Sequence, residues 1–119
     1  MKEVLMMKGA RILIETCANV TKGEKILIIT DPERVSIAKL LIAALAERDI
    51  KPVTMIMFPN DLDGQEPPVL VAKAMLEADL IIMPVSKSIS HSTAVKEALK
   101  SGARVLSLSA FTEEQMYIG

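Results

Sequence analysis

A chain of 119 residues, half of them hydrophobic, is long enough for one domain with a real core, and a net charge of −1 removes the electrostatic reason to expect nucleic acid or an anionic membrane as partner. The apolar residues are mostly aliphatic, with no Trp, one Tyr and two Phe, as in parallel sheets covered by helices on both faces. A single cysteine excludes an intrachain disulfide and fits a reducing cytosol.

The first element runs from about Lys2 to Val20. Met6, Ala10, Leu13, Cys17 and Val20 recur at spacings of four and three, which is one helical face. On that reading Cys17 is a buried packing thiol. Lys2, Glu3, Lys8 and Arg11 break up any signal-peptide core. Val4, Leu5, Met7, Ile12 and Ile14 fall off the stripe, which is more apolar surface than one face can bury. With a mean hydropathy of +0.35, this predicts a homo-oligomer. Lys22-Gly23 is read as the end of the helix, with Gly in the left-handed cap.

Lys25 to Thr30, K-I-L-I-I-T, follows as a strand buried on both faces. Asp31-Pro32 opens a helix, with Asp as N-cap and Pro at the first helical position. Val35, Ala38, Leu41, Ile42 and Leu45 keep its period to about Arg48. Its apolar run from Leu40 to Ala46 is far short of the roughly 20 residues that span a bilayer, so a soluble, cytoplasmic protein with no membrane partner is expected. Val53 to Phe58 is a second strand, Pro59 to Glu66 a polar loop, and Pro67-Pro68 leads a helix to Ala78. Leu80 to Val85 is a third strand, and Ser86 to Ser90 a serine-rich loop. A helix runs from about Ser92 to Ser101-Gly102. Val105 to Leu108 is a fourth strand. Thr112 to Gln115 has the form of a capping box that starts one more helix before the chain stops at Gly119.

Strands alternating with helices imply right-handed βαβ units. The expected fold is a three-layer, flavodoxin-like α/β domain spanning residues 1–119, with a four-stranded parallel sheet in the order 2-1-3-4 and an N-terminal helix on one face. Ligands of such sheets bind at the carboxyl ends of the strands, near the reversal of strand order. Here those ends carry Thr30-Asp31, Asn60 to Glu66, Ser86 to His91, and Ser109 to Phe111.

Most known chemistries fail on these residues. No G-x-G-x-x-G follows the first strand and no P-loop occurs, while Asp31 stands where a dinucleotide phosphate needs bare N–H groups. Zinc and iron sites draw on His and Cys, and the chain has one of each. Asp61, Asp63 and Glu66 do not match a calcium loop and read as solvated acids. No metal site and no resident cofactor are therefore expected in this chain. His91, within S-K-S-I-S-H-S at the start of a helix, is the one candidate for acid–base chemistry or substrate contact. Ser86, Ser88 and Ser90 beside it are candidate ligand contacts or caps of free N–H groups. Asp31, Gly64, Gln65 and Glu66 complete the candidate binding set.

Three segments carry a resemblance. They are M-K-G-A-R-I-L-I-E-T-C-A-N-V (Met7 to Val20) with K-G-E-K-I-L-I-I-T-D and Arg34; D-G-Q-E-P-P (Asp63 to Pro68) before E-A-D at Glu77 to Asp79; and S-K-S-I-S-H-S (Ser86 to Ser92) before G-A-R at Gly102 to Arg104. In this order they resemble the N-terminal region of the thermophilic metalloaminopeptidase family, the leucyl aminopeptidase or aminopeptidase T type, whose superfamily includes 2,5-dihydroxypyridine dioxygenase-like proteins. The resemblance implies a longer parent protein. Its divalent metal would be held by Glu, His and Asp of a C-terminal catalytic domain, which would be this chain's partner. None of those ligand positions falls within this sequence, so the implied activity does not transfer to it alone. Two function classes follow: the N-terminal, non-catalytic-alone domain of an aminopeptidase-like enzyme or of a ring-cleaving dioxygenase relative, or a stand-alone binding or oligomerisation module.

Overall fold

The computed structural model describes residues 1–59, 61–109 and 111–118; Asn60 and Ala110, in two of the predicted strand-end loops, and Gly119 lie outside the described residues. Four strands form one all-parallel sheet in the order β2-β1-β3-β4, as the alternation of apolar runs and helical periods requires. They are β1 (Ile26–Thr30), β2 (Val53–Ile56), β3 (Leu80–Met83) and β4 (Arg104–Ser107). The helices are α1 (Lys2–Ile12), α2 (Val35–Glu47), α3 (Val69–Glu77), α4 (Thr93–Lys100) and α5 (Glu113–Ile118).

The central strands β1 and β3 are buried along their whole length, whereas β2 and β4 are exposed at both ends. One apolar layer joins Ile26, Ile28, Leu80 and Ile82 to α1, α2 and Met116 of α5. The other joins Leu27, Ile29, Ile81 and Met83 to α3 and α4. Alternate strand residues thus feed opposite layers, and the lack of hydrophobic alternation in β1 and β3 follows from both layers being apolar.

The N-terminal helix departs from its predicted face. After Ile12 the chain makes a π-turn, Leu13–Cys17, with the Ala18 amide reaching back to the Leu13 carbonyl at 2.8 Å. A π-turn spends one extra residue. The buried face therefore runs Met6, Ala10, Ile14, Ala18 and Val20, in place of the α-spaced set containing Leu13 and Cys17. Cys17 is exposed, correcting the buried thiol, and Ile14 is fully buried rather than spare surface. The left-handed stop also falls earlier than predicted. Asn19 takes it at φ 47, while Gly23, at φ 90, belongs to the turn before β1.

The loop that follows is tied down by two arginines. Arg48 at the end of α2 donates to the Val20 carbonyl at 3.2 Å. Arg104 at the start of β4 donates to the Ala18 carbonyl and, at 2.6 Å, to Glu24. Partial burial pushes the Glu24 carboxyl up, but the Arg104 bond, the Thr21 bonds and the Arg104 charge together hold it below its ordinary value.

Among the described residues no helix is long and apolar enough to cross a membrane.

Candidate functional site at the carboxyl edge of the sheet

The order 2-1-3-4 puts the reversal between β1 and β3, where an open α/β sheet normally leaves a crevice for ligand. Here the chain fills that crevice with its own side chains. Asp31 directly follows β1 and is fully buried. Its Oδ1 accepts from the backbone N–H groups of Glu33 and Arg34, both at 3.1 Å. Its Oδ2 accepts from the Ser86 amide at 2.7 Å and the Ser86 hydroxyl at 2.8 Å. Thr30 adds a bond from its hydroxyl to the Pro84 carbonyl at 2.7 Å. The capping chemistry expected of Asp31 is present, but Pro32 to Arg34 form a turn and α2 begins only at Val35. Asp31 and Ser86, both candidate ligand contacts, instead bind each other and seal the switch point.

The second loop docks on the third. Ser88 donates its amide to Asp63 at 2.7 Å, and its carbonyl accepts from the Gly64 amide at 2.8 Å. Gly64 sits at φ 85, a left-handed conformation that glycine adopts without steric cost. The Leu62 amide donates to Gln65 at 3.2 Å. Glu66 reaches the start of α4, where its two oxygens accept from the Thr93 and Ala94 amides at 2.7 and 3.1 Å. Ser92, the N-cap, accepts from Val95 at 3.2 Å. The N-terminus of α4, the natural place for an anion on this edge, is thus occupied by the protein's own carboxylate. Asp63 and Glu66 are exposed, as expected of solvated loop acids, and in addition dock the loop on backbone amides.

Several polar groups remain presented to solvent on this edge, among them the Lys87 ammonium and the Asp61 carboxylate. His91 is exposed, one residue before the N-cap of α4, and makes no hydrogen bond or ion pair among the described residues. Ser90, its neighbour in the chain, joins Ser107 and Ser109 at the end of β4 in a line of hydroxyls, with oxygen–oxygen distances of 2.6 and 3.0 Å. Ser88 is turned inward and accepts from the Ser90 amide. Ser109 falls in a strand end named from sequence, whereas Ser107 does not; the alternation L-S-L-S at the end of β4 is the available signal for it. Since no serine hydroxyl bonds to His91 among the described residues, no nucleophile–base pair is assembled.

The residues do not fit the divalent metal implied by the resemblance. Among the described residues no three of His, Cys, Asp and Glu converge on a common point, and the nearest acids are committed to backbone amides. What the edge offers is rigid hydrogen-bonding surface: one free imidazole, a chain of hydroxyls and a fixed backbone.

No family model and no curated protein matches the sequence. Two solved structures are similar in fold. One is a 2,5-dihydroxypyridine dioxygenase from Pseudomonas putida, with a TM-score of 0.72 and 12% identity, over 90% of this chain and 34% of that one. The other is wild-type AmpT from Thermus thermophilus, with a TM-score of 0.57 and 15% identity, over 99% of this chain and 42% of that one. The chain shares their fold and spans less than half the length of either.

Proposed function

We propose that this α/β unit acts as a non-catalytic-alone domain of an aminopeptidase-like protein, presenting His91 and the Ser90–Ser107–Ser109 hydroxyls to a peptide substrate whose hydrolysis needs a metal-bearing domain. The observation that carries this reading is the state of the carboxyl edge. Asp31, Asp63 and Glu66 accept from backbone amides and hold the loops in place, while the imidazole and hydroxyls are left outward. Such an edge can orient a polar ligand through pre-organised donors and acceptors, and among the described residues no His, Cys, Asp and Glu cluster gathers to hold a water-activating metal. The three-segment resemblance and the shared fold with AmpT support the same assignment. The corresponding domain of a ring-cleaving dioxygenase relative is a second reading, favoured by the higher TM-score of that neighbour.

The pure chain, incubated with zinc, cobalt or manganese, is expected to leave leucine p-nitroanilide intact. In the same buffer, millimolar leucyl peptide is expected to shift the amide resonances of Ser90, His91 and Ser107. Chelator-sensitive release of nitroaniline would overturn the claim that this unit is not catalytic alone. Unperturbed resonances would remove the substrate-contact role of the edge. Stronger shifts with a dihydroxypyridine than with the peptide would favour the second reading.

A further inference from the structure

Residues 61–66 reach from the β2 side of the sheet to the loop after β3 and the start of α4, past the carboxyl end of β1, which lies between those strands. Every residue of this segment is exposed, Leu62 included at 67%, so no burial of apolar surface holds it down. The bond from the Leu62 amide to Gln65 braces it internally, and Pro67, which is buried, anchors it ahead of α3. Segments with little buried apolar surface and solvent-exposed hydrogen bonds open more readily than the core, and they open as units.

What the segment grips are groups that a peptide would need. Both main-chain groups of Ser88 are taken, its amide by Asp63 at 2.7 Å and its carbonyl by the Gly64 amide at 2.8 Å. A residue that offers its N–H and C=O to one neighbouring segment is how an extended peptide is received. A second contact, of different chemistry, lies further along. The Glu66 carboxylate sits on the Thr93 and Ala94 amides at 2.7 and 3.1 Å, where a peptide's terminal carboxylate would fit as well. Between these two points in the chain lie Ser90 and His91, and the imidazole is turned to solvent. The platform beneath is fixed independently of the segment, because Asp31 holds Ser86 from within.

Building on the peptide-contact reading of this edge, we infer that residues 63–66 are an autoinhibitory strap, an internal pseudo-peptide lying where the substrate peptide lies. The strap leaves as a unit. The peptide then takes over the main-chain pair of Ser88 and sets its terminal carboxylate on the Thr93 and Ala94 amides, beside Ser90 and His91. Because the strap is tethered, it competes at all peptide concentrations, and the apparent affinity is lowered by the fraction of molecules in which it is open. A peptide without a free carboxylate replaces only part of what the strap gives up.

Amide exchange and titration, both followed by nuclear magnetic resonance, separate the strap from the edge. In the free protein the amides of Gly64, Ser88, Thr93 and Ala94 are expected to share one protection factor, about tenfold or more below that of β1 and β3. Glu66→Ala is expected to lower protection at Gly64 and Ser88 too, although the Glu66 carboxylate bonds to Thr93 and Ala94. Asp63→Ala with Glu66→Ala is expected to bind leucylglycine about tenfold more tightly than the wild type, with leucinamide gaining less. Unchanged protection at Gly64 and Ser88 in Glu66→Ala would overturn the strap. So would equal affinity of wild type and double variant for leucylglycine, and if Ser90, His91 and Ser107 still shifted, the edge reading would survive it. An equal gain for leucinamide would overturn the assignment of the Glu66 position to a ligand carboxylate. An absence of shifts in both proteins would remove the edge reading and the strap with it. Should the double variant fail to fold, Asp63→Ala and Glu66→Ala singly carry the same comparison.

Discussion

Asp31 shows how one side chain can decide what a site is. A carboxylate at the switch point of an α/β sheet reads from sequence as a cap or a ligand contact. Both its oxygens, in fact, are held by four donors from within the chain. Removing it leaves the Ser86 amide and hydroxyl and the Glu33 amide without this acceptor in a half-buried place, while the Arg34 amide keeps only the backbone carbonyl of residue 31. Asp31→Ala is therefore expected to lower stability by roughly 3 kcal/mol or more in urea denaturation, because unpaired buried donors and lost charge-assisted bonds add. A loss below about 1 kcal/mol would mean that water replaces the carboxylate freely. Glu24 argues the same way on the other edge. Its folded pKa lies below the ordinary value of 4.5, so its contribution is fully present above that value and is lost as pH falls through the lower, folded one. Glu47, lowered by its hydrogen bond with Arg11, behaves alike. Stability measured from pH 7 downward should fall on the acid side, and Glu24→Gln should flatten that fall. An identical slope in the variant would count against the Arg104–Glu24 tie.

Among the elements, the strands were the most legible. K-I-L-I-I-T and L-I-I-M are apolar without alternation, and only a position covered on both faces accounts for that. The loops at the carboxyl edge could be placed but not read, because sequence does not reveal that Asp63 and Glu66 bond to amides 25 and 27 residues away. The N-terminal helix was misread because periodicity assumes one helix type throughout, and a π-turn changes the period midway. Its packing partner also depends on an unannounced detail. A Cβ on Gly9 would lie 1.8 Å from the Met116 carbonyl oxygen, so only glycine lets α5 rest on α1. Gly9→Ala should displace α5, costing about 1–3 kcal/mol despite alanine's better helix propensity. Amide exchange would register the change as lost protection confined to residues 113–118 and the facing side of α1. A stabilised Gly9→Ala protein would show that α5 is not seated there.

On the scale of the whole molecule, two opposite edges divide the work. The carboxyl edge is closed by Asp31–Ser86 and Glu66–Thr93, which join segments far apart in sequence into one surface. The amino edge is held by Arg48 and Arg104 on the loop after the π-turn. Among the described residues, the flank at β2 leaves Val53 exposed on one face of the sheet and Ile56 on the other. The strand order was predictable because right-handed crossovers leave few arrangements for alternating elements. The function was less so, because the edge that carries His91 is built from residues that cap and seal, and their types are the same as those of a catalytic site.

The π-turn has a consequence for comparing chains by alignment. In an unbroken α-helix the residues Met6, Ala10, Ile14 and Ala18 would drift by about 120° around the axis and could not share a face. With one residue removed from Leu13–Cys17, Ala18 would move to a spacing of three after Ile14 and return to that face as ordinary helix. The segment is thus equivalent to an α-helix carrying a single-residue insertion. A homologue with a continuous helix here should align with a one-residue gap between Leu13 and Cys17. Without the gap, Cys17 would be matched to a buried position it does not occupy.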